Sequence, residues 1–264
     1  MSFFRQHKIN RKQISQHMFN FFSKKHSQEP LFFTTDIHCH ILPGIDDGAK
    51  DLETAVTLVE KMAELGLKRI FASPHITYGT FENNADTIGQ AFDTLSRAVK
   101  ERGVDIELGY SAENRLDDLF MNNLKDGALL TLPGNIVLVE NSYFQEPWGL
   151  DSLLFDLQVK GYRPVMVHPE RYPYYFGNKK RYDELHKNGT AFQVNLLSLA
   201  GYYGKGEKKM AEYLIDRGLV DFIGTDIHRL SHVEYIRNYL ASKDYRQHRD
   251  ALSGKLLNDN LCAV

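Results

Sequence analysis

The sequence has little of what would place this protein outside a cell or inside a membrane. Its 264 residues include only two cysteines, Cys39 and Cys262, which form no C-x-x-C pair, so we expect no disulfide framework and a reducing, cytoplasmic location. No uninterrupted apolar run approaches the roughly 20 residues that a membrane-spanning helix needs. Neither cysteine is followed by an arginine at the spacing of a Cys-x5-Arg phosphate-binding loop, which excludes thiol-based phosphatase chemistry.

The chain also lacks a strong charge of either sign. Lysine and arginine together number 32, aspartate and glutamate 34, and the formal net charge is −2, so bulk charge does not attract the protein to nucleic acid. Hydrophobic residues make up 42% and charged residues 25%, as in an ordinary globular domain. Because there is no internal repeat, low-complexity tract or linker-like segment, we expect a single domain over residues 31–264, preceded by a basic extension over residues 1–30.

The basic extension allows two interpretations. Its basic residues are scattered among aromatic ones and leave no uninterrupted apolar core, so it is not a secretory signal. It could form an amphipathic helix that lies on the inner face of the membrane or on a partner protein. The simpler interpretation is a partly ordered tail that packs its aromatic residues on the domain.

From residue 31 onward, short β-branched or aromatic runs alternate with longer segments of helical periodicity. We predict strands at 31–40, 68–76, 104–114, 135–141, 163–171, 190–198 and 220–228. We predict helices at 51–67, 84–103, 117–127, 149–161, 181–189 and 208–218, and a helical tail from about residue 231. This alternation is typical of an α/β fold whose parallel sheet or barrel is built from βα units.

Nearly all of these strands end in residues that can bind a metal ion. The polar strand ends are His38 and His40, His75, Glu113, Glu140, His168, Asn195, and Asp226 with His228. Because the parallel strands of a βα barrel bring their carboxyl ends to one face, these side chains should form one polar cluster. A single histidine at a strand end is more often a surface or hydrogen-bonded residue, but the repetition favours a metal site.

The first and last strands add a geometric reason. Side chains alternate between the two faces of a strand, so His38 and His40 point the same way and Cys39 points to the opposite face. Asp226 and His228 have the same spacing on the last strand, which adjoins the first when a barrel closes. Mixed imidazole and carboxylate ligands suit Mn, Fe or Zn. Several ions that share carboxylates would favour phosphoester hydrolysis by metal-activated water.

These motifs resemble those of the PHP (polymerase and histidinol phosphatase) family. The similarity extends from about residue 34 to 230 and lies in DIHCHILPGIDDG, in SPH at 73–75, in Glu113, in HPER at 168–171 and in GTDIH at 224–228. The H-x-H…PG-x-DDG opening together with HPER most resembles the manganese-dependent protein-tyrosine phosphatases that act on bacterial tyrosine autokinases in capsule and exopolysaccharide synthesis. The resemblance implies a distorted (β/α)7 TIM-like barrel that hydrolyses phosphotyrosine by a metal-bridging hydroxide.

The resemblance also implies three divalent ions, first of all Mn²⁺, with Fe or Zn as alternatives. The implied ligands of the first ion are His38, His40, Glu113 and Asp226. Those of the second ion are Glu113, Glu140 and His168, and those of the third are Asp47, His75 and His228. Asp46 is an alternative to Asp47, although the family's spacing favours Asp47. Catalysis should then depend on His40 and Asp226.

Arginines that bind the phosphate are a further implication of the resemblance. Arg171 in HPER matches an arginine that grips phosphate, which a guanidinium can do with two parallel hydrogen bonds; the alternative is a surface arginine paired with Glu170. A second arginine is expected after the last strand, where this sequence departs from the family pattern, and Arg229 is a candidate and Arg237 a weaker one. The aromatic loops NSYFQEPWG and YPYYFGN either flank a tyrosine ring or pack on the barrel rim.

Three other functions remain open. A small-molecule phosphatase, such as one for histidinol phosphate, would use the same ions. A non-catalytic regulator that binds a kinase would be expected to have lost ligands, and none is lost here. An amidohydrolase could share the H-x-H motif, but its usual lysine ligand is absent from the strand ends.

Overall fold

The computed structural model describes residues 29–261. The interpretations of the N-terminal extension up to residue 28, and the location of Cys262, lie outside the described residues. Within the described part of the chain, no helix combines the length and apolar character that crossing a membrane requires.

Short parallel strands form the centre of the fold. Their bounds are β1 Thr35–Asp36, β2 Arg69–Ala72, β3 His75–Ile76, β4 Glu107–Tyr110, β5 Glu113–Arg115, β6 Ile136–Glu140, β7 Arg163–Val167, β8 Ala191–Asn195 and β9 Phe222–Gly224. They pair in the orders β1-β2-β4 and β3-β5-β6-β7-β8-β9, and every pair is parallel.

The two sheets are parts of one barrel. The predicted strand 68–76 is divided into β2 and β3, and the predicted strand 104–114 into β4 and β5. The division between β2 and β3 falls at Pro74, which has no backbone N–H to donate. The first and last strands meet through a parallel bridge between Cys39 and Ile227, with Asp226 N donating to His38 O at 2.8 Å. The expectation of a distorted (β/α)7 barrel is therefore confirmed.

Several predicted strands extend too far at their carboxyl ends. The stretch 169–171 is a 3₁₀ turn because His168 adopts a left-handed backbone with φ of 37°, and the stretch 196–199 is a helix that begins directly after β8. The first strand is regular only over Thr35–Asp36 and regains pairing at Cys39. Each departure turns the chain at the face where polar residues gather.

Helices surround the barrel at the predicted positions, with one additional helix over 196–199. Their bounds are α1 Leu52–Glu64, α2 Ala85–Glu101, α3 Asp118–Asp126, α4 Leu150–Val159, α5 Lys180–Lys187, α6 Leu196–Leu199, α7 Lys205–Asp216, α8 Leu230–Leu240 and α9 Lys243–Leu252. The sequence places caps at several of them: Asp51 accepts Thr54 N at 2.8 Å, and Asn84 and Thr87 form a capping box at the start of α2.

The barrel interior is apolar at one end and polar at the other. A small hydrophobic cluster fills the amino-terminal end, formed by Ile37, Phe71, Leu132, Ile136, Leu138, Val165, Val167, Phe222 and Leu261. The larger core lies between the sheet and the surrounding helices and includes Cys39, as expected for a side chain on the outer face. This small hydrophobic cluster lies beneath the polar side chains at the carboxyl ends of the strands.

A side chain from the C-terminal segment closes the lower gap between β1 and β9. Asn258 accepts a hydrogen bond from Ile223 N at 3.0 Å and donates to Ile223 O at 2.7 Å and Thr35 O at 2.9 Å. This buried amide replaces the backbone ladder that β1 and β9 do not form with each other there.

Candidate metal centre

The two histidines of the first strand face a pair of carboxylates. His38 Nε2 and His40 Nε2 each lie 3.2 Å from Glu113 Oε2. Asp226 Oδ1 lies 3.7 Å from His38 Nε2 and 3.5 Å from His40 Nε2. The structure thus brings together the four side chains expected around the first ion, and all four are buried.

Glu113 also faces the residues expected around the second ion. Its Oε1 lies 2.8 Å from His168 Nε2, which in turn lies 3.8 Å from Glu140 Oε1. Its other oxygen, Oε2, lies 3.1 Å from His75 Nδ1 as well as near the first-strand histidines. Because its two oxygens face different histidines, Glu113 has the placement that a shared ligand requires.

The two neighbouring aspartates of the first loop differ in what they contact. Asp47 Oδ1 lies 3.5 Å from His75 Nε2 and 3.4 Å from His228 Nε2. Asp46 lies behind His40, whose Nδ1 is 2.9 Å from Asp46 Oδ2. The geometry favours Asp47 as the ligand and Asp46 as the acceptor that orients the His40 ring.

Unusual backbone conformations turn these side chains into the barrel mouth. His168 and Asp226 have φ of 37° and 52°, values that residues other than glycine seldom adopt. Gly48 packs so closely under His40 that a Cβ there would lie 2.0 Å from His40 O. These local features place the ligands where straight strands would not.

The donor set fits divalent ions. Glu113 Oε2, Glu140 Oε2 and His75 Nδ1 are buried and make no well-aligned hydrogen bond, although buried polar atoms are normally satisfied. The nitrogens nearest to the two carboxylates, Arg115 Nε at 3.0 Å from Glu140 and His75 Nδ1 at 3.1 Å from Glu113, are poorly aligned for donation. Histidine nitrogens and carboxylate oxygens form several groups whose atoms lie within 4.8 Å of one another. Such a mixture of imidazole and carboxylate suits Mn, Fe or Zn.

Two pKa shifts in the cluster favour the binding of protons or other positive charge, and a third keeps a histidine neutral. Burial, reinforced by the charge of Glu113, raises the pKa of Glu140 to about 8. Burial alone would lower the pKa of His38, but the charges of Glu113 and Asp226 outweigh it and raise that pKa to about 9. Burial lowers the pKa of His168 to about 4, which keeps its imidazole neutral at pH 7 as a ligand must be.

Arg171 lies against this cluster, in the wall of a cavity of about 240 Å³. Its Nη1 donates to Asp226 Oδ2 at 3.0 Å, and its guanidinium lies over Tyr143 at 5.1 Å and Tyr203 at 4.0 Å from the ring centroids. Glu170 instead accepts a hydrogen bond from Asn195 N, so the alternative pairing of Arg171 with Glu170 is wrong. The arginine reaches the cavity, not the outer surface.

The two candidates for a second phosphate-binding arginine differ in their position relative to the cavity. Arg229 lines the cavity. Arg237 donates to Glu64 and Glu234 on α1 and α8, away from the cavity, so the weaker candidate is wrong. The two aromatic loops also differ in position. Tyr143 of the first loop lines the cavity, whereas Tyr172 and Tyr175 of the second loop are buried against the barrel rim.

Comparison with known proteins agrees with this geometry. The family model described as "Capsular polysaccharide synthesis, CpsB/CapC" matches residues 34–254. The chain belongs to the CpsB/CapC family.

Relatives of this CpsB/CapC protein include tyrosine-protein phosphatases from two genera. The tyrosine-protein phosphatase YwqE of Bacillus subtilis is 32% identical over 196 residues, which cover 74% of this chain and 77% of YwqE. The tyrosine-protein phosphatase CpsB of Streptococcus pneumoniae is 31% identical over 205 residues, which cover 74% of this chain and 83% of CpsB.

Solved structures extend the comparison to the fold. Crystal structures of YwqE and CpsB, described as unique metal-dependent tyrosine phosphatases, include a chain that matches with a TM-score of 0.73 and 28% identity, over 88% of this chain and 96% of that one. The histidinol phosphate phosphatase of Lactococcus lactis, complexed with zinc, L-histidinol and phosphate, matches with a TM-score of 0.50 and 17% identity over 80% of this chain and 93% of that one, and shows a shared fold.

Some residues of the CpsB/CapC site were not found from the sequence. Arg115, Tyr203 and His232 also line the cavity, and Gln193 lies beneath it, 2.6 Å from His38 Nδ1. Arg115 follows Glu113 on β5 and lies 3.0 Å from Glu140 Oε2. Two-residue spacing along a strand was the available signal for Arg115 and Gln193, since each shares a strand face with a polar strand end.

Proposed function

We propose that this CpsB/CapC protein is a metal-dependent protein-tyrosine phosphatase of the cytoplasm. Its substrate would be a phosphotyrosine on a bacterial tyrosine autokinase that regulates capsule or exopolysaccharide synthesis. The single observation that carries the proposal is the convergence of nine histidine and carboxylate side chains and the partly buried Arg171 at one cavity. Seven of the nine line the cavity, and the other two, His38 and His40, contact Glu113 behind its wall. The names of the relatives support the same reaction.

The chain's own residues would hold three ions in three groups. They are His38, His40, Glu113 and Asp226; Glu113, Glu140 and His168; and Asp47, His75 and His228. Bound divalent ions, of which Mn²⁺ is the first choice, would make a water molecule acidic enough to attack phosphorus near neutral pH and would neutralise phosphate charge. Asp46 would hold the His40 ring through Nδ1, so that Nε2 faces the ions.

Arg171 would bind and orient the phosphate. Stacking between Tyr143 and Tyr203 restricts the guanidinium to one plane, so little side-chain entropy remains to be lost when it pairs with phosphate oxygens. Its hydrogen bond to Asp226 leaves other N–H donors free to turn toward the cavity. Arg229, on the cavity wall, would supply a second positive charge.

The leaving group suits phosphotyrosine. A tyrosine phenolate has a conjugate acid with a pKa of about 10, so it departs without much proton donation from the protein. No dedicated general acid is therefore assigned to the site. Tyr143 would offer a ring for the substrate to pack against at the cavity mouth.

The test is a comparison of substrates on Mn²⁺-loaded protein. We expect faster turnover of a phosphotyrosyl peptide than of histidinol phosphate, with bound transition metal in the same sample. The matched control is Arg237→Ala, a surface arginine that should leave both activities intact, against Arg171→Ala. Faster turnover of histidinol phosphate would favour the small-molecule phosphatase, and no turnover of either by metal-replete protein would favour the non-catalytic regulator.

A further inference from the structure

Two buried amides on β8 connect His38 to Asp226. Gln193 Oε1 lies 2.6 Å from His38 Nδ1. Gln193 Nε2 donates to Asn195 Oδ1 at 2.9 Å, and Asn195 Nδ2 donates to Asp226 Oδ2 at 2.6 Å. All four residues are at most 1% exposed. They form an uninterrupted hydrogen-bonded chain beneath the cavity, which we call the amide relay.

The chemistry of its last member gives the amide relay a direction. An ionised carboxylate can only accept hydrogen bonds, so Asn195 must present its NH₂ group to Asp226 and its oxygen to Gln193. Gln193 must then present its NH₂ group to Asn195 and its oxygen to the imidazole. That oxygen needs a donor, and His38 Nδ1 therefore carries the proton.

We propose that Gln193 and Asn195 are positioning residues that set the tautomer of His38 and the orientation of Asp226 for the first metal ion. With the proton fixed on Nδ1, it is Nε2, 3.2 Å from Glu113 Oε2, that would give up its proton and offer a lone pair to a bound ion. The inference rests on the proposed function, because it assigns roles toward an ion of that site.

The other end of the amide relay fixes one oxygen of Asp226 as well. Oδ2 accepts hydrogen bonds from Asn195, from Tyr203 at 2.8 Å and from Arg171 at 3.0 Å. These donors occupy Oδ2 and leave Oδ1 directed at the histidines of the cluster. Asp226 is thereby held as a ligand that offers one oxygen.

The neighbouring strand leaves room for the amide relay. A Cβ at Gly224 would lie 2.6 Å from Gln193 Nε2 and 2.7 Å from His38 Cβ, both closer than real Cβ contacts allow. Only glycine at this position of β9 lets Gln193 reach His38. The absence of a side chain at Gly224 is thus part of the same arrangement.

The first test is spectroscopic and starts with the wild-type protein. In ¹⁵N-histidine-labelled protein loaded with diamagnetic Zn²⁺, we expect His38 to show a proton on Nδ1 that exchanges slowly with solvent, and no proton on Nε2. In Gln193→Met, that Nδ1 proton should exchange faster or disappear. A wild-type His38 with its proton on Nε2 would overturn the inference.

The second test is metal affinity, measured by competition with a chelator. Loss of hydrogen bonds that orient metal ligands typically weakens binding about 10- to 100-fold, and we expect this for Mn²⁺ in both Gln193→Met and Asn195→Leu. The double variant should lose little more than either single one, because the two amides act as one chain.

The matched control is Asn258→Leu, which removes a buried amide at the opposite end of the barrel. It should lower the thermal unfolding temperature without changing Mn²⁺ affinity. Wild-type protein that binds Mn²⁺, with Gln193→Met and Asn195→Leu both retaining its affinity, would overturn the amide relay alone. Wild-type protein that binds no transition metal would overturn the proposed function itself.

Discussion

A single methyl group at Gly48 should disable the metal centre while leaving the barrel folded. A Cβ at this position would lie 2.0 Å from His40 O and 2.6 Å from His40 Cβ, where real contacts are at least 3.0 Å. Neither atom belongs to a flexible side-chain end, so the loop itself would have to move by at least about 1 Å. That loop carries Asp46, which faces the ring of His40, and Asp47, which faces the rings of His75 and His228.

The expected cost of Gly48→Ala follows from this displacement. Overpacking of this kind costs roughly 1–3 kcal/mol of folding stability, which a barrel of this size should survive. A shift of about 1 Å in catalytic groups can lower the rate on the order of 100-fold. We therefore expect at least one Mn²⁺ ion fewer per chain and about a 100-fold loss of phosphotyrosyl-peptide turnover, with an intact far-ultraviolet circular dichroism spectrum.

Gly177→Ala is the matched control for this variant. Gly177 has no atom within 4 Å of its would-be Cβ and does not require a left-handed backbone, so alanine should be tolerated there. Metal content is measured by elemental analysis after gel filtration, and turnover by phosphate release. Gly48→Ala protein with full Mn²⁺ content and turnover within twofold of wild type would refute the reasoning.

Three further predictions concern the site and its support. Arg171→Ala should lower kcat/KM for phosphotyrosyl peptide about 10- to 100-fold without loss of bound metal, because it removes charge-assisted hydrogen bonds to phosphate; unchanged kinetics would contradict the assigned role. His40→Ala and Asp226→Ala should each abolish turnover and reduce metal content, and full retention of both would contradict the ligand assignment. Burial raises the pKa of Asp36 to about 6, so the folded protein favours the protonated form of this carboxyl group. The stability that the protonated carboxyl contributes is fully present below the usual aspartate pKa and is lost as the pH rises through about 6. In metal-free protein, the unfolding free energy of Asp36→Asn relative to wild type should therefore rise by about 2 kcal/mol from pH 4 to pH 7. Denaturant unfolding that shows no such rise would contradict this prediction.

The cluster of candidate ligands could be predicted because parallel strands place their carboxyl ends on one face. That regularity located His75, Glu140 and His168, which lie far apart in sequence, without knowledge of any contact. It also gave the fold class, since alternating strands and helices admit few arrangements. The assignment of these histidines and carboxylates to particular ions came from the family resemblance and stays a proposal.

Other features depend on contacts that a strand pattern does not encode. Whether Asp46 or Asp47 faces the ions is decided by the turn that Gly48 allows under His40. Gln193 is an inward-facing residue of β8, but an isolated glutamine in a strand carries no sign of a histidine partner on another strand. The choice between Arg229 and Arg237 needed the direction of the last helices.

The most direct test of the account is a titration of metal-free protein with Mn²⁺, in which bound metal and phosphotyrosyl-peptide turnover are followed in the same samples. The account predicts three ions per chain at saturation, turnover that appears only as the ions bind, and loss of turnover when a chelator removes them. Full turnover in chelator-treated protein, or no turnover with three ions bound, would contradict it.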